Sequence, residues 1–136
     1  MTASVRELTD HRVNPANDTI RIVVMDEPGA GGANHVYDVI LPQREYTDAE
    51  KAAPALPSRV TRVSFQNGPI AEAGVNGVTQ EALLAICIDR LRSFQAGPYA
   101  CRENALALTK MEEAQMWLLQ RTRARMARGV EGTHQK

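Results

Sequence analysis

Aromatic side chains are scarce in this sequence: two Phe, three Tyr and one Trp make up 4% of 136 residues. Any core must come from Leu, Ile, Val, Met and Ala, within a hydrophobic share of 43%. A chain of this length with so few large rings builds a modest core and gains stability by association, so an oligomer is expected. An excess of charge of either sign is also missing, with 16 Lys plus Arg against 16 Asp plus Glu. That excludes the basic field of a protein that coats a nucleic acid polymer. Cysteine is reduced to Cys87 and Cys101, without C-x-x-C or metal-ligand spacing. Both are read as small buried apolar residues on helices of a reduced, cytosolic protein. The three histidines, His11, His35 and His134, form no H-E-x-x-H pattern, so neither a zinc site nor a His-based triad is expected. No basic-then-apolar leader and no membrane-length apolar run is found.

Nucleotide-binding loops of the common kinds are lacking too. Gly29-Ala30-Gly31-Gly32 fails as a dinucleotide fingerprint, because Asn34 stands where the last glycine is required and a strand follows. The run reads as a mobile hairpin tip. There is no P-loop lysine motif. Glu112 and Glu113 are adjacent on a helix, point different ways and suit solvent or a nearby Arg better than acid–base work.

The elements that are present give an α+β chain of one domain. Residues 1–18 read as a loose polar arm or one short element, with turn residues Asn14, Pro15 and Asn17. Residues 19–77 are strand-rich and form a small antiparallel sheet. Its strands are the β-branched Thr19 to Met25, His35 to Leu41, and Arg59 to Phe65. Between the last two lies a surface connection, Gln43 to Ser58, with Pro54, Pro57 and room for one helical turn. Residues 78–129 form an antiparallel helical hairpin. Thr79 is the N-cap of its first helix, where Leu84, Cys87, Ile88 and Leu91 make an apolar stripe ending before Gly97-Pro98. The second helix runs from about Ala100 to Arg128, with Gly129 as its C′ residue. Residues 130–136 are a tail.

One line on the second helix carries chemistry. Asn104, Ala107, Met111, Ala114, Leu118, Arg121 and Arg125 follow steps of three and four, polar at the start, small and apolar in the middle, cationic at the end. Arg121 and Arg125 are one turn apart, and two guanidinium forks so placed can grip a diphosphate. The competing reading is a solvated pair that suits the helix C-terminus. Phe94 and Asn104 flank the link between the helices. They are either a base-recognition pair, a stacking ring beside an amide, or a core Phe and a cap-region Asn. Asn104 and Arg121 are separated by 17 residues of helix, about 26 Å at ~1.5 Å per residue. A single small nucleotide touching both must therefore take them from different chains.

Four motifs carry a family resemblance: Phe65-Gln66-Asn67-Gly68-Pro69 with Gly74-Val75-Asn76-Gly77-Val78-Thr79, then Phe94-Gln95-Ala96-Gly97-Pro98 with Cys101-Arg102-Glu103-Asn104-Ala105, then Arg121-Thr122-Arg123, then Arg128 to Thr133. As an ordered set over Ser64 to Thr133 they resemble the first described family of phage anti-Thoeris proteins. That family shares its helical-hairpin domain with phage cyclic-oligonucleotide sponges that blunt CBASS defence. The resemblance implies a non-catalytic hexamer, acting in the cytoplasm of the infected bacterium. It would bind glycocyclic ADP-ribose intact, with cyclic di- or trinucleotides as possible further ligands, and need no metal or cofactor. It assigns ligand binding to Phe94 and Asn104 of one subunit and Arg121 and Arg125 of another. Outside that assignment, Arg62, Gln66 and Asn67 are weaker candidates for lining a pocket. The alternatives are a phage structural or assembly oligomer without a small ligand, a small nucleic-acid binder using the Arg121 to Arg128 cluster, and a hydrolase of the nucleotide signal.

Overall fold

The computed structural model describes residues 6–53 and 58–129. Pro54, Pro57, the first five residues of the arm and the 130–136 tail, with the last of the four motifs beyond Gly129, lie outside the described residues. The architecture is α+β, an antiparallel sheet followed by helices. The chain divides into two compact units, Met1–Phe65 and Gln66–Lys136.

The first unit is a four-stranded antiparallel meander, β1 (Arg6–Leu8), β2 (Arg21–Val24), β3 (Val36–Ile40) and β4 (Val60–Ser64), in that spatial order. The three β-branched runs become β2, β3 and β4, each slightly shorter than expected. β1 and α1 fall in the stretch expected to be a loose arm or one short element, which instead holds two; the three residues of β1 carry too little alternation to announce a strand, and only pairing with β2 defines it. Alternation then sorts the sheet into rows. Val23, Asp38 and Arg62 lie in one register row with Glu7, and Val24 and Tyr37 lie in the adjacent one with Arg6 and Val63. Val23 and Val24 are buried. Tyr37 meets Phe65 edge to face at 5.8 Å between centroids, the geometry that ring quadrupoles favour.

The glycine-rich tip between β2 and β3 is pinned by hydrogen bonds. The Asp26 carboxylate accepts from the backbone N–H of His35 at 2.9 Å and of Val36 at 3.1 Å. Asn34 Nδ2 donates to the Asp26 carbonyl at 2.7 Å. Partial desolvation pushes the Asp26 pKa up, but the two N–H donors and nearby His35 outweigh it and leave it lowered.

Short helices lie in the connections between these elements. The first, α1 (Pro15–Asp18), has Asn14 as N-cap and Pro15 in its first turn, so the residues read as a turn are a helix start. α2 (Asp48–Ala52) is set by a capping box, Thr47 with Glu50, and is the one helical turn expected in the connection. Arg44 clamps the Glu50 carboxylate, and with the Thr47 N–H holds its pKa down at about 2. α3 (Ile70–Ala73) begins the second unit.

Two long helices make up the rest: α4 (Gln80–Gln95) and α5 (Arg102–Ala127). Thr79 Oγ1 accepts from the Ala82 N–H at 3.1 Å, as its N-cap role requires. Gly129 takes φ +72° after the Arg128 C-cap, the left-handed position in which a helix commonly ends. Arg92 pairs with Glu112 across the hairpin at 2.6 Å, and Gln115 Nε2 donates to the Glu81 carbonyl at 3.2 Å. None of the described helices is long and apolar enough to cross a membrane.

The packed seam of α5 differs in phase from the one expected. Its inward positions are Asn104, Leu108, Met111, Gln115, Leu118, Thr122 and Arg125, while Ala107, Ala114 and Arg121 are exposed. Both lines share Asn104, Met111, Leu118 and Arg125, so periodicity alone does not separate them. Side-chain size does, because turning Leu108 inward removes more apolar area from water than turning Ala107. The cysteines also correct the expectation of burial, since both are exposed. The inward line of α4 runs through Leu84, Ile88 and Leu91 and leaves Cys87 on its flank. Cys101 is a cap, its Sγ accepting from the Asn104 N–H at 3.4 Å.

Candidate functional site

Phe94 and Asn104 stand at the two ends of the hairpin connection. Phe94 lies in the last turn of α4 and Asn104 in the first turn of α5, and both are half-buried. The connection is held by side chains: Gln95 Oε1 accepts from the Cys101 N–H at 3.1 Å, and Cys101 caps α5. An apolar ring and an amide are thus fixed to the ends of two rigid helices. The Arg90 guanidinium lies over the Phe94 ring, 4.9 Å from its centroid. The four-residue spacing of Arg90 and Phe94 on a helix is the sequence signal of this contact.

Arg121 and Arg125 lie far from that tip along the same helix. α5 is unbroken from Arg102 to Ala127, so the separation of Asn104 and Arg121 is real helix, about 26 Å. Gln115 sits opposite Glu81 at the start of the shorter α4, and the last turns of α5, with both arginines, run on past that point. The two arginines differ in environment: Arg121 is exposed, whereas Arg125 is 8% exposed. Within one chain the structure places Phe94 and Asn104 at the two ends of the hairpin connection, places Arg121 one turn from Arg125, and keeps the two pairs apart along α5.

The weaker candidates have partners inside the chain. Arg62 and Asp38 face each other across β3 and β4, with Nε donating to Oδ1 at 2.8 Å and Nη2 to Oδ2 at 3.0 Å. The bond from Arg62 holds the Asp38 carboxylate below its ordinary range. Gln66 Nε2 donates to the carbonyls of Gly68 at 3.1 Å and Gly74 at 2.7 Å, and its Oε1 accepts from the Asn76 N–H. Asn76 in turn bonds both backbone groups of Asn67, at 2.8 and 2.7 Å. The Gln66-to-Gly77 segment is therefore a hydrogen-bonded knot placed before α4. Gly68 belongs to it for a steric reason: φ is +91°, and a Cβ there would come 3.2 Å from the Ala73 Cβ.

The outer surface of the hairpin is apolar in several places. Ile86 is 66% exposed on α4, and Trp117 is 62% exposed on α5 beside the exposed Ala114 and Arg121. Among the described residues of this unit the buried apolar side chain is Ile88. Singly exposed apolar side chains of this kind are ordinary on a small domain.

Residues 58–123 match the family model described as Acb2/Tad1, hairpin domain. They take in β4, the knot, α4 and most of α5, including Phe94, Asn104 and Arg121, and stop two residues short of Arg125. A stretch of 78 residues is 55% identical to Thoeris anti-defense 1 of Bacillus phage SBSphiJ7, covering 57% of this chain and 55% of that protein. The matched stretch is about half the length of that relative.

Proposed function

We propose, from the match of residues 58–123 to the Acb2/Tad1 hairpin domain, that the protein is a phage sponge. It binds a nucleotide immune signal, glycocyclic ADP-ribose, and withholds it from the host TIR-based (Thoeris) defence without cleaving it. The observation that carries the reading is the placement of two complementary half-sites at opposite ends of one unbroken helix. An aromatic ring and an amide suit an adenine and its edges. Two guanidiniums one turn apart suit a diphosphate. Because one ligand cannot span about 26 Å, the full site is formed between subunits packed with α5 helices antiparallel. The exposed Ile86, Ala114 and Trp117 give such packing an apolar surface. Association into a closed oligomer, a hexamer by the family resemblance, then makes the binding site and completes the small core in one step.

In this mechanism Phe94 stacks on the adenine, Asn104 bonds a base or ribose edge, and Arg121 and Arg125 neutralise the diphosphate. Retention without turnover requires tight contacts and no positioned nucleophile. Cyclic di- or trinucleotides in a separate pocket are a further part of the proposal. The place of action is the cytoplasm of the infected bacterium.

The test is retention. Purified protein is mixed with glycocyclic ADP-ribose, free ligand is removed by filtration, the protein is heated, and the released material is identified by mass spectrometry. Ligand depleted from the filtrate and released intact on heating is the expected result. Release of a processed product moves the protein to the hydrolases. No depletion at micromolar protein, with cyclic oligonucleotides also unbound, leaves an assembly protein.

A further inference from the structure

Arg90 places a planar cation on the ring assigned to stacking, and that contact has a consequence for the ligand. Its guanidinium carbon is 4.9 Å from the Phe94 centroid. Arg90 is exposed, and among the described residues the ion pairs are made by other side chains, its neighbour Arg92 pairing with Glu112. The guanidinium thus rests on the ring with its other face open. Resting on the sponge reading, we propose that Arg90 is a further ligand-contact residue, a second planar wall that clamps the purine base against Phe94.

The chemistry follows from shape. A guanidinium is flat, permanently charged and weakly hydrated at its faces, so it stacks on aromatic planes. In the free chain it covers a face of Phe94. A purine entering between the two planes gains Phe94 on one side and Arg90 on the other, and the Arg90–ring contact is replaced by an Arg90–base contact. The long, exposed side chain swings outward by the thickness of one base without moving α4. The charge then stands beside the base, where it adds a third cation to those that meet the diphosphate from the neighbouring subunit. A lysine would keep the charge and lose the plane.

The experiment is calorimetric titration of glycocyclic ADP-ribose into the full chain and into R90A, R90K, F94L and R90A/F94L, with melting curves for each. Loss of Arg90 is expected to weaken binding about tenfold, with R90K recovering little and melting unchanged because Arg90 is exposed. In the F94L background, removing Arg90 is expected to cost much less, since the two walls act together. R90A binding like wild type while F94L is weakened overturns the clamp and leaves the sponge reading standing. R90K binding like wild type also overturns it, by reducing Arg90 to a charge. If the wild-type chain takes up no ligand, the sponge reading falls and the clamp with it.

Discussion

Gln66 and Asn76 hold each other's loops: the Asn76 N–H donates to Gln66 Oε1 at 2.9 Å, while Gln66 Nε2 reaches the Gly74 carbonyl at 2.7 Å. These bonds close the Gln66-to-Gly77 segment on itself ahead of α4. Replacing Gln66 with Ala leaves two carbonyls and an N–H without their partner. The expected destabilisation is about 1–3 kcal/mol, read as a lower midpoint in urea. If ligand affinity, corrected for unfolded protein, fell as well, Gln66 would have a binding role beyond the knot.

Asp26 and Asp38 both have pKa values lowered from the ordinary 3.8. For Asp38 the bond from Arg62 is the main cause. A carboxylate with a folded pKa below its unfolded one contributes stability in full above the unfolded value, and loses it as pH falls through the folded value. Melting temperature should therefore hold from pH 7 to about 5 and fall below 4. Asp38→Asn should lower the neutral-pH value and flatten the acid slope. An unchanged slope in that variant would place the acid sensitivity elsewhere.

The cross-subunit site makes a distinctive prediction about mixtures. Phe94→Ala should lose about 1–3 kcal/mol of ligand affinity, the worth of one stacking contact. Arg121→Ala should lose about 1.5–3 kcal/mol, the worth of a charge-assisted contact. Unfolding the two variants together and refolding them as mixed oligomers should restore about a quarter of the sites to wild-type affinity, because a random symmetric assembly pairs an intact ring with an intact arginine that often. Sites contained within one chain would show no restoration.

Trp117 is the one tryptophan in the chain and is 62% exposed. If its face is buried by another subunit, emission should shift to the blue as protein concentration rises through the assembly range. Trp117→Lys or Ile86→Lys should yield smaller species in sedimentation and abolish retention of ligand, with α-helical circular dichroism retained at high concentration. Assembly unaffected by both changes would place the interface on another surface.

Much of this architecture is readable along the chain because it is set locally. Thr79 at an N-cap, Gly129 past a helix end and the β-branched runs of β2 to β4 act through neighbours a few residues away. The spacing of Phe94, Asn104, Arg121 and Arg125 is of the same kind, since helix rise converts residue numbers into distance. A capping box at Thr47 and Glu50, and Asn14 before Pro15, were equally local signals that went unread.

Other features depend on what lies opposite in space. Arg6–Leu8 is a strand because β2 offers it partners, and three residues cannot state that by themselves. Whether Ala107 or Leu108 turns inward on α5 is decided by competition for area against α4. Cys87 is exposed for the same reason. Gln66 became a staple once Gly74 and Asn76 were folded back to meet its amide, and Arg62 became half of an ion pair once Asp38 lay across from it. Helix and strand limits follow from short-range sterics and capping, whereas the role of a polar side chain follows from the group that the fold brings within hydrogen-bonding reach.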